Sequence, residues 1–252
     1  MKTVLITGCS SGFGLETARH FLGQGWKVIA TMRTPREDVL PSSENLRLLA
    51  LDVTDTESIA RAVATAGDVD VLVNNAGIGM LNALEGTPME TVRQLFETNT
   101  FGTIAMTQAM LPQFRQRGGG VIVNVTTTVT LAPLPLLSVY RASKAAVNAF
   151  TESLALEVQP YNVRTALVLP GRAPATRFSE NAGARMTGIP EAYAALAQEV
   201  FAQWAQSADL VTESADVAQA IWQAATDPHC PARLPAGADA EAMAAALAAQ
   251  SV

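Results

Sequence analysis

Seven short runs rich in valine, leucine and isoleucine recur along the chain, and between them lie longer stretches whose apolar residues repeat at helical spacing. The runs are nearly unbroken rather than alternating apolar with polar residues, so both faces of each strand must be covered, as in a buried parallel sheet. Parallel neighbours need a crossover long enough to hold a helix, and the intervening stretches supply it. The runs predict strands near Thr3–Thr7, Lys27–Thr31, Leu46–Leu51, Val69–Val73, Gly120–Thr126, Val163–Leu169 and Ala232–Pro235. Helices are predicted near Gly14–Gln24, Thr56–Thr65, Met89–Gln116, Ser138–Val158 and Glu213–Ala225, with Pro88 and Ser138 at or near helix starts. Right-handed crossovers then favour an open, doubly wound α/β sheet with helices on both faces. No internal repeat or Gly/Ser linker divides the 252 residues, which read as one domain. Two stretches break the rhythm: residues 171–206, which read as a lid, and the alanine-rich tail 236–252, which reads as a terminal helix or a frayed end.

Charge and cysteine content narrow the class. A net charge of −6 opposes binding to nucleic acid or an anionic membrane, both of which depend on Lys and Arg meeting phosphate. Cys9 and Cys230 show neither disulfide-framework nor zinc-type spacing, so no metal is expected and a reducing cytoplasm fits. His20 and His229 read as satisfied surface histidines. The apolar run at the start is too short for a signal-peptide core, and no segment is long enough to span a bilayer, so a cytoplasmic protein is expected.

The first strand runs into Thr7-Gly8-Cys9-Ser10-Ser11-Gly12-Phe13-Gly14, after which Leu15, Ala18, Phe21 and Leu22 recur at helical spacing. Glycines let the backbone approach a pyrophosphate, and the start of the following helix offers free N–H groups to its oxygens. A lone glycine cluster fits an ordinary strand-to-helix turn as well. The second strand adds an independent signal. An NAD site places a carboxylate near that strand's end to bind the ribose hydroxyls, but Ala30-Thr31 leads into Met32-Arg33, with no carboxylate before Glu37. The Arg33 guanidinium suits a 2′-phosphate, with Ser11 as a helper, so NADP(H) is expected in preference to NAD(H). The competing reading of Arg33 is a solvated surface arginine.

Tyr140-Arg141-Ala142-Ser143-Lys144 lies in a segment whose Val139, Ala146, Val147 and Phe150 mark a helix, so Tyr140 and Lys144 share a face. With this few tyrosines and lysines, a chance spacing of four arises in about 4% of shuffles. A phenol titrates at about 10 in water, and a nearby ammonium together with an oxidised nicotinamide would draw it down toward neutrality. Tyr140 is therefore the candidate acid and base.

Further motifs stand in a matching order: Asn74-Asn75-Ala76-Gly77 after the fourth strand, Asn99 within Glu97-Thr98-Asn99-Thr100-Phe101-Gly102, and Pro170-Gly171 after the sixth. With the glycine turn, Tyr140 and Lys144, they make the chain up to about Ala225 resemble the short-chain dehydrogenase/reductase family. The glycine turn together with Ala30-Thr31-Met32-Arg33 is similar to NADPH-using carbonyl reductases and some hydroxysteroid dehydrogenases. The resemblance implies a single Rossmann domain with a mostly parallel seven-stranded sheet. It implies that Gly8, Ser10, Ser11, Gly12, Phe13 and Gly14 cradle the cofactor and that Asp52 and Val53 flank its adenine. Asn75, Ala76, Gly77, Pro170 and Gly171 would lie along it. Lys144 would hold the nicotinamide ribose while tuning Tyr140, and Asn99 would anchor a water linking Lys144 to solvent. The family's serine thirteen residues before the tyrosine is replaced by Thr127, within Thr126-Thr127-Thr128. A threonine hydroxyl donates the same hydrogen bond, but its methyl restricts χ1 and crowds the substrate. Thr126 and Thr128 read as ordinary strand-end threonines. Four positions beyond Gly171, where the family has a threonine, stands Ala175, with Thr176 one later.

In the family the stretch holding Leu131, Leu134, Leu136 and Leu137 walls the substrate pocket, and the lid adds Phe178, Met186, Ile189, Tyr193, Phe201 and Trp204. An apolar or aromatic ketone or secondary alcohol is the expected substrate. Arg172, Arg177 and Arg185 read as solvated charge, the alternative being an acidic substrate group or the cofactor's phosphates. The tail reads as lacking the glycine-ended seventh strand of many tetrameric relatives such as fatty-acid ketoreductases, which weighs against an acyl-carrier substrate. A homo-oligomer, dimer or tetramer, is implied, the family's commonest contact being through the Met89–Gln116 and Ser138–Val158 helices. Halohydrin dehalogenases share this fold, but Gly12, Gly14 and Lys144 speak against them. The remaining alternative is a dinucleotide-sensing regulator that has lost turnover, for which the substituted Thr127 is the only hint.

Overall fold

The computed structural model describes residues 1–176, 188–206 and 210–250. All seven expected strands form: β1 (Thr3–Ile6), β2 (Lys27–Met32), β3 (Leu46–Ala50), β4 (Val71–Asn74), β5 (Gly120–Val125), β6 (Val163–Pro170) and β7 (Arg233–Ala236). They make one parallel sheet in the order β3-β2-β1-β4-β5-β6-β7. Eight α-helices are seen among the described residues: α1 (Gly12–Gly23), α2 (Thr56–Ala66), α3 (Met89–Phe96), α4 (Gly102–Arg117), α5 (Ser138–Val158), α6 (Ala194–Gln206), α7 (Ser214–Thr226) and α8 (Ala238–Gln250).

The two-residue period of each strand sends adjacent apolar side chains into two separate cores. Val4 and Ile6 pack with Phe21 of α1 and Ile221 of α7 on one face. Leu5, between them, packs with Met106, Met110 and Phe114 of α4 and Leu154 of α5 on the other. This is the doubly wound, Rossmann-like arrangement. Its strand order reverses between β1 and β4, and the crevice outside the carboxyl ends of such a pair is where open α/β sheets bind ligands.

Three expectations change. The single helix predicted over Met89–Gln116 is broken by a π-helical turn at Glu97–Phe101, between α3 and α4. A helical apolar period does not register one extra residue in a turn. The tail is an ordered helix, and β7 ends directly on Gly237, whose φ is 103°. The expected lack of a glycine-ended seventh strand is therefore wrong: Ala236 pairs with Pro170, carrying the strand one residue further than predicted and up to the glycine. His20 is not on the open surface. It is half-buried against Trp222, with ring centroids 5.5 Å apart, and burial lowers its pKa. Among the described residues no helix is long and apolar enough to cross a membrane.

Candidate active site

Two loops meet at the switch point. Thr7, just past β1, accepts the Asn75 and Ala76 backbone N–H groups on its hydroxyl at 3.0 and 2.9 Å. Asn75 returns its side-chain amide to the Thr7 and Gly8 carbonyls at 2.9 and 3.2 Å. The loop after β4 is thereby pinned to the glycine turn. Gly8 (φ 77°) has no room for a side chain, since a Cβ there would lie 2.9 Å from Ala76 Cα. One on Gly14 would strike the Gly8 carbonyl and the Asn75 amide. Helix α1 begins at Gly12 with no side-chain cap from Ser11 and no acidic residue in its first turn. Close backbone approach plus uncapped helix amides is the chemistry a pyrophosphate requires, so these residues fit a dinucleotide. Cys9, beside them, is buried filler whose thiol burial pushes up to about 12.

Around this cradle Ser10 and Arg33 are exposed, while Ser11 and Phe13 are half-buried. Arg36, which the sequence did not single out, donates to the Ser10 carbonyl at 3.2 Å and brings its guanidinium to the turn. Asp52 accepts the Thr54 N–H and hydroxyl at 2.9 and 2.8 Å, and Val53 packs on Gly102, where a Cβ would meet it at 2.8 Å. Thr176, not Ala175, approaches the glycine turn: a Cβ on Gly12 would lie 3.6 Å from its Cβ.

Tyr140 and Lys144 are both buried on one face of α5. Thr127 hydrogen bonds to the Tyr140 phenol in the sense that favours its phenolate, and its hydroxyl oxygen also accepts the Val129 N–H at 3.3 Å. Thr126, by contrast, has a buried hydroxyl with no partner. Lys144 Nζ donates to the Val125 carbonyl at 2.9 Å. A Cβ on Gly77 would lie 3.2 Å from both Lys144 Nζ and Asn99 Oδ1, so the loop after β4 passes directly against them. Asn99, fully buried on the π turn, donates to the Ile78 carbonyl (2.9 Å) and the Ser143 hydroxyl (3.1 Å) and accepts the Ile78 N–H (2.8 Å). Ser143, another residue missed in the sequence, donates to the Tyr140 carbonyl at 2.8 Å.

The lowering expected for Tyr140 draws on the positive charge of an oxidised nicotinamide; among the protein's own groups burial dominates. Burial pushes its phenol well above the ordinary value, and the Thr127 hydrogen bond offsets only part of this. The same burial lowers Lys144 to about 8. Desolvation disfavours whichever form is charged, phenolate in one case and ammonium in the other.

Residues 2–187 match the family model described as short chain dehydrogenase. The chain belongs to that family. An uncharacterized oxidoreductase of Bacillus subtilis is 37% identical over 242 residues, covering 90% of this chain and 86% of the relative. Human 17-beta-hydroxysteroid dehydrogenase type 1 is 36% identical over 240 residues, covering 83% of this chain and 71% of the relative. Among solved structures, a short chain dehydrogenase from Burkholderia cenocepacia in complex with NADP superposes with a TM-score of 0.79 at 28% identity, covering 100% of this chain and 96% of that one. The protein is accordingly an oxidoreductase-family chain with an NAD(P)-binding fold.

In this short chain dehydrogenase Tyr140 belongs to an apolar cluster with Met80, Leu81, Leu136, Leu137 and Val139. Ala197 and Val200 of α6 close it, with Leu134, Ile189, Tyr193 and Trp204 packed alongside. Leu131 faces elsewhere, lining a dent with Leu169, Pro235 and Leu247 under the tail helix. Phe201 is largely exposed and packs edge-on against Trp204. Arg172 is half-buried rather than fully solvated, and its guanidinium donates to the Trp204 carbonyl at 2.8 Å. Arg177, Phe178, Arg185 and Met186 lie outside the described residues.

Proposed function

We propose that this short chain dehydrogenase transfers a hydride between NADP(H) and an apolar or aromatic ketone or its secondary alcohol, with Tyr140 as proton donor and acceptor. The observation that carries the reading is the Thr127 hydroxyl bonded to the Tyr140 phenol inside an apolar cluster, with buried Lys144 one turn further along α5. Gly8, Ser10, Ser11, Gly12, Phe13 and Gly14 hold the pyrophosphate, Asp52 and Val53 border the adenine, and Asn75, Ala76, Gly77, Pro170 and Gly171 line the nicotinamide half. The bound nicotinamide supplies the hydride and, once oxidised, a positive charge. Thr127 donates a hydrogen bond to the substrate oxygen. Tyr140 gives that oxygen its phenolic proton as the carbonyl carbon gains the hydride, and Lys144 stabilises the phenolate left behind. A phenol held above its ordinary value keeps its proton at neutral pH, which suits reduction. Asn99 supports the relay that returns the proton through Lys144.

The Arg36 guanidinium at the turn, Arg33 directly after β2 and the lack of a carboxylate at the end of β2 support NADP(H) over NAD(H). The apolar lining agrees with relatives such as the hydroxysteroid dehydrogenase. The whole chain is read as one cytoplasmic domain with 171–206 as its lid, forming a homo-oligomer through α3, α4 and α5. Exposed Phe101 and Leu156 at these helices suit such a contact. The sensor alternative gains nothing from a site in which phenol, ammonium and hydroxyl are all assembled. Mixing the protein with NADPH or NADH and a panel of aromatic, long-chain and steroidal ketones, while following cofactor absorbance, is expected to show consumption with NADPH preferred. Binding without consumption would restore the sensor, and a preference for NADH would overturn the cofactor assignment.

A further inference from the structure

After β6 the chain turns through Gly171 and Arg172 toward the lid, and this turn is held from a distant part of the sequence. Thr212 accepts the Gly171 N–H on its hydroxyl at 2.9 Å and donates its own N–H to the Arg172 carbonyl at 2.8 Å. Asp239, in the first turn of α8, accepts the Arg172 N–H at 2.6 Å. The Thr212 hydroxyl, almost fully buried, lies 2.7 Å from the other Asp239 oxygen and 2.9 Å from the Ala236 carbonyl. Two glycines make this fit: a Cβ on Gly171 would strike the Asp239 carboxylate, and one on Gly237 would strike Thr212. The far end of Arg172 then bonds the Trp204 carbonyl in the last turn of α6, whose Ala197 and Val200 close the cluster around Tyr140.

We propose that Thr212 and Asp239 are positioning residues that set the Gly171–Arg172 turn, so that the C-terminal helix fixes how α6 sits over the Tyr140 site. A carboxylate accepting a backbone N–H and a buried hydroxyl is a charge-assisted, directional clamp, and Arg172 carries its register to the lid as a rigid link. The inference rests on the proposed ketone-reductase reading for its catalytic consequence, but the mechanical coupling does not depend on it.

Thr212→Val keeps the side-chain shape and removes the hydroxyl, whereas Thr212→Ser keeps the hydroxyl. In the full-length protein without ligand, amide hydrogen exchange across residues 194–206 should be at least fivefold faster in Thr212→Val than in wild type, with α2 unchanged and Thr212→Ser close to wild type. With NADPH and an accepted ketone, Thr212→Val should raise KM at least fivefold while changing kcat less than twofold. Unchanged exchange in α6, or equal acceleration in α2 and α6, would overturn the coupling. So would equal losses in the serine and valine variants. If the wild type bound no NADPH and reduced no ketone, the functional reading would fail while the exchange comparison still decided the coupling.

Discussion

Tyr140 and Lys144 bear opposite consequences of the same burial. The phenol keeps its proton more firmly, whereas the ammonium holds its proton less firmly, at about 8. Below about pH 8 folded and unfolded chains both carry the Lys144 proton, and between about 8 and the ordinary value of 10.5 only the unfolded chain does. Stability from this residue therefore rises with pH across that window. The displacement corresponds to on the order of 3 kcal/mol of charge burial at neutral pH, from which the bond to the Val125 carbonyl subtracts about 1 kcal/mol. Lys144→Met should thus abolish turnover yet raise the melting temperature at pH 7 by a few degrees. The gain should vanish as pH approaches 10.5, which a pH series of thermal melts would reveal. The threonine triplet gives a second residue-scale prediction. Thr127→Ala should lower kcat by about 10²–10³-fold. Thr127→Ser should retain kcat, and Thr128→Ala should stay within about twofold of wild type on the usual mild effect of a non-contacting site. A reversed order in steady-state rates would move the hydroxyl donor to another threonine.

The π turn at Glu97–Phe101 is the element whose geometry matters most to the site. Widening one turn between α3 and α4 brings Asn99 inward, where it pairs with both backbone groups of Ile78 and with Ser143. Such bulges recur at functional sites because they re-aim a side chain without ending the helix. Asn99→Ala would leave those buried partners unsatisfied and should cost about 2–4 kcal/mol, measured by urea unfolding. A loss confined to activity, with stability unchanged, would show that the anchoring bonds matter little. From sequence, the strand and helix bodies were readable because their periods are local. The π turn was not, since what it gains are contacts with Ile78 and Ser143, twenty-one and forty-four positions away.

At the scale of the molecule, the proposed preference for NADP(H) rests on Arg33, directly after β2, and on Arg36, which bonds the Ser10 carbonyl. Arg33→Ala with Arg36→Ala should weaken NADP⁺ binding by at least tenfold and leave NAD⁺ binding nearly unchanged. Added salt should narrow the wild-type difference by screening exposed charge. Titration calorimetry with both nucleotides checks this, and parallel losses for both would refute the 2′-phosphate role. By itself the sequence determined the parallel α/β architecture, the glycine turn, the Tyr140–Lys144 pair and the Thr127 substitution, because each is written in residues a few positions apart. Only the tertiary structure decided the upward direction of the Tyr140 pKa, the approach of Arg36 and Thr176 to the glycine turn, and the clamp that joins Arg172 to Asp239 across sixty-seven positions. Burial and long-range hydrogen bonds are sums over neighbours that the chain brings together only on folding, and no local spacing encodes them.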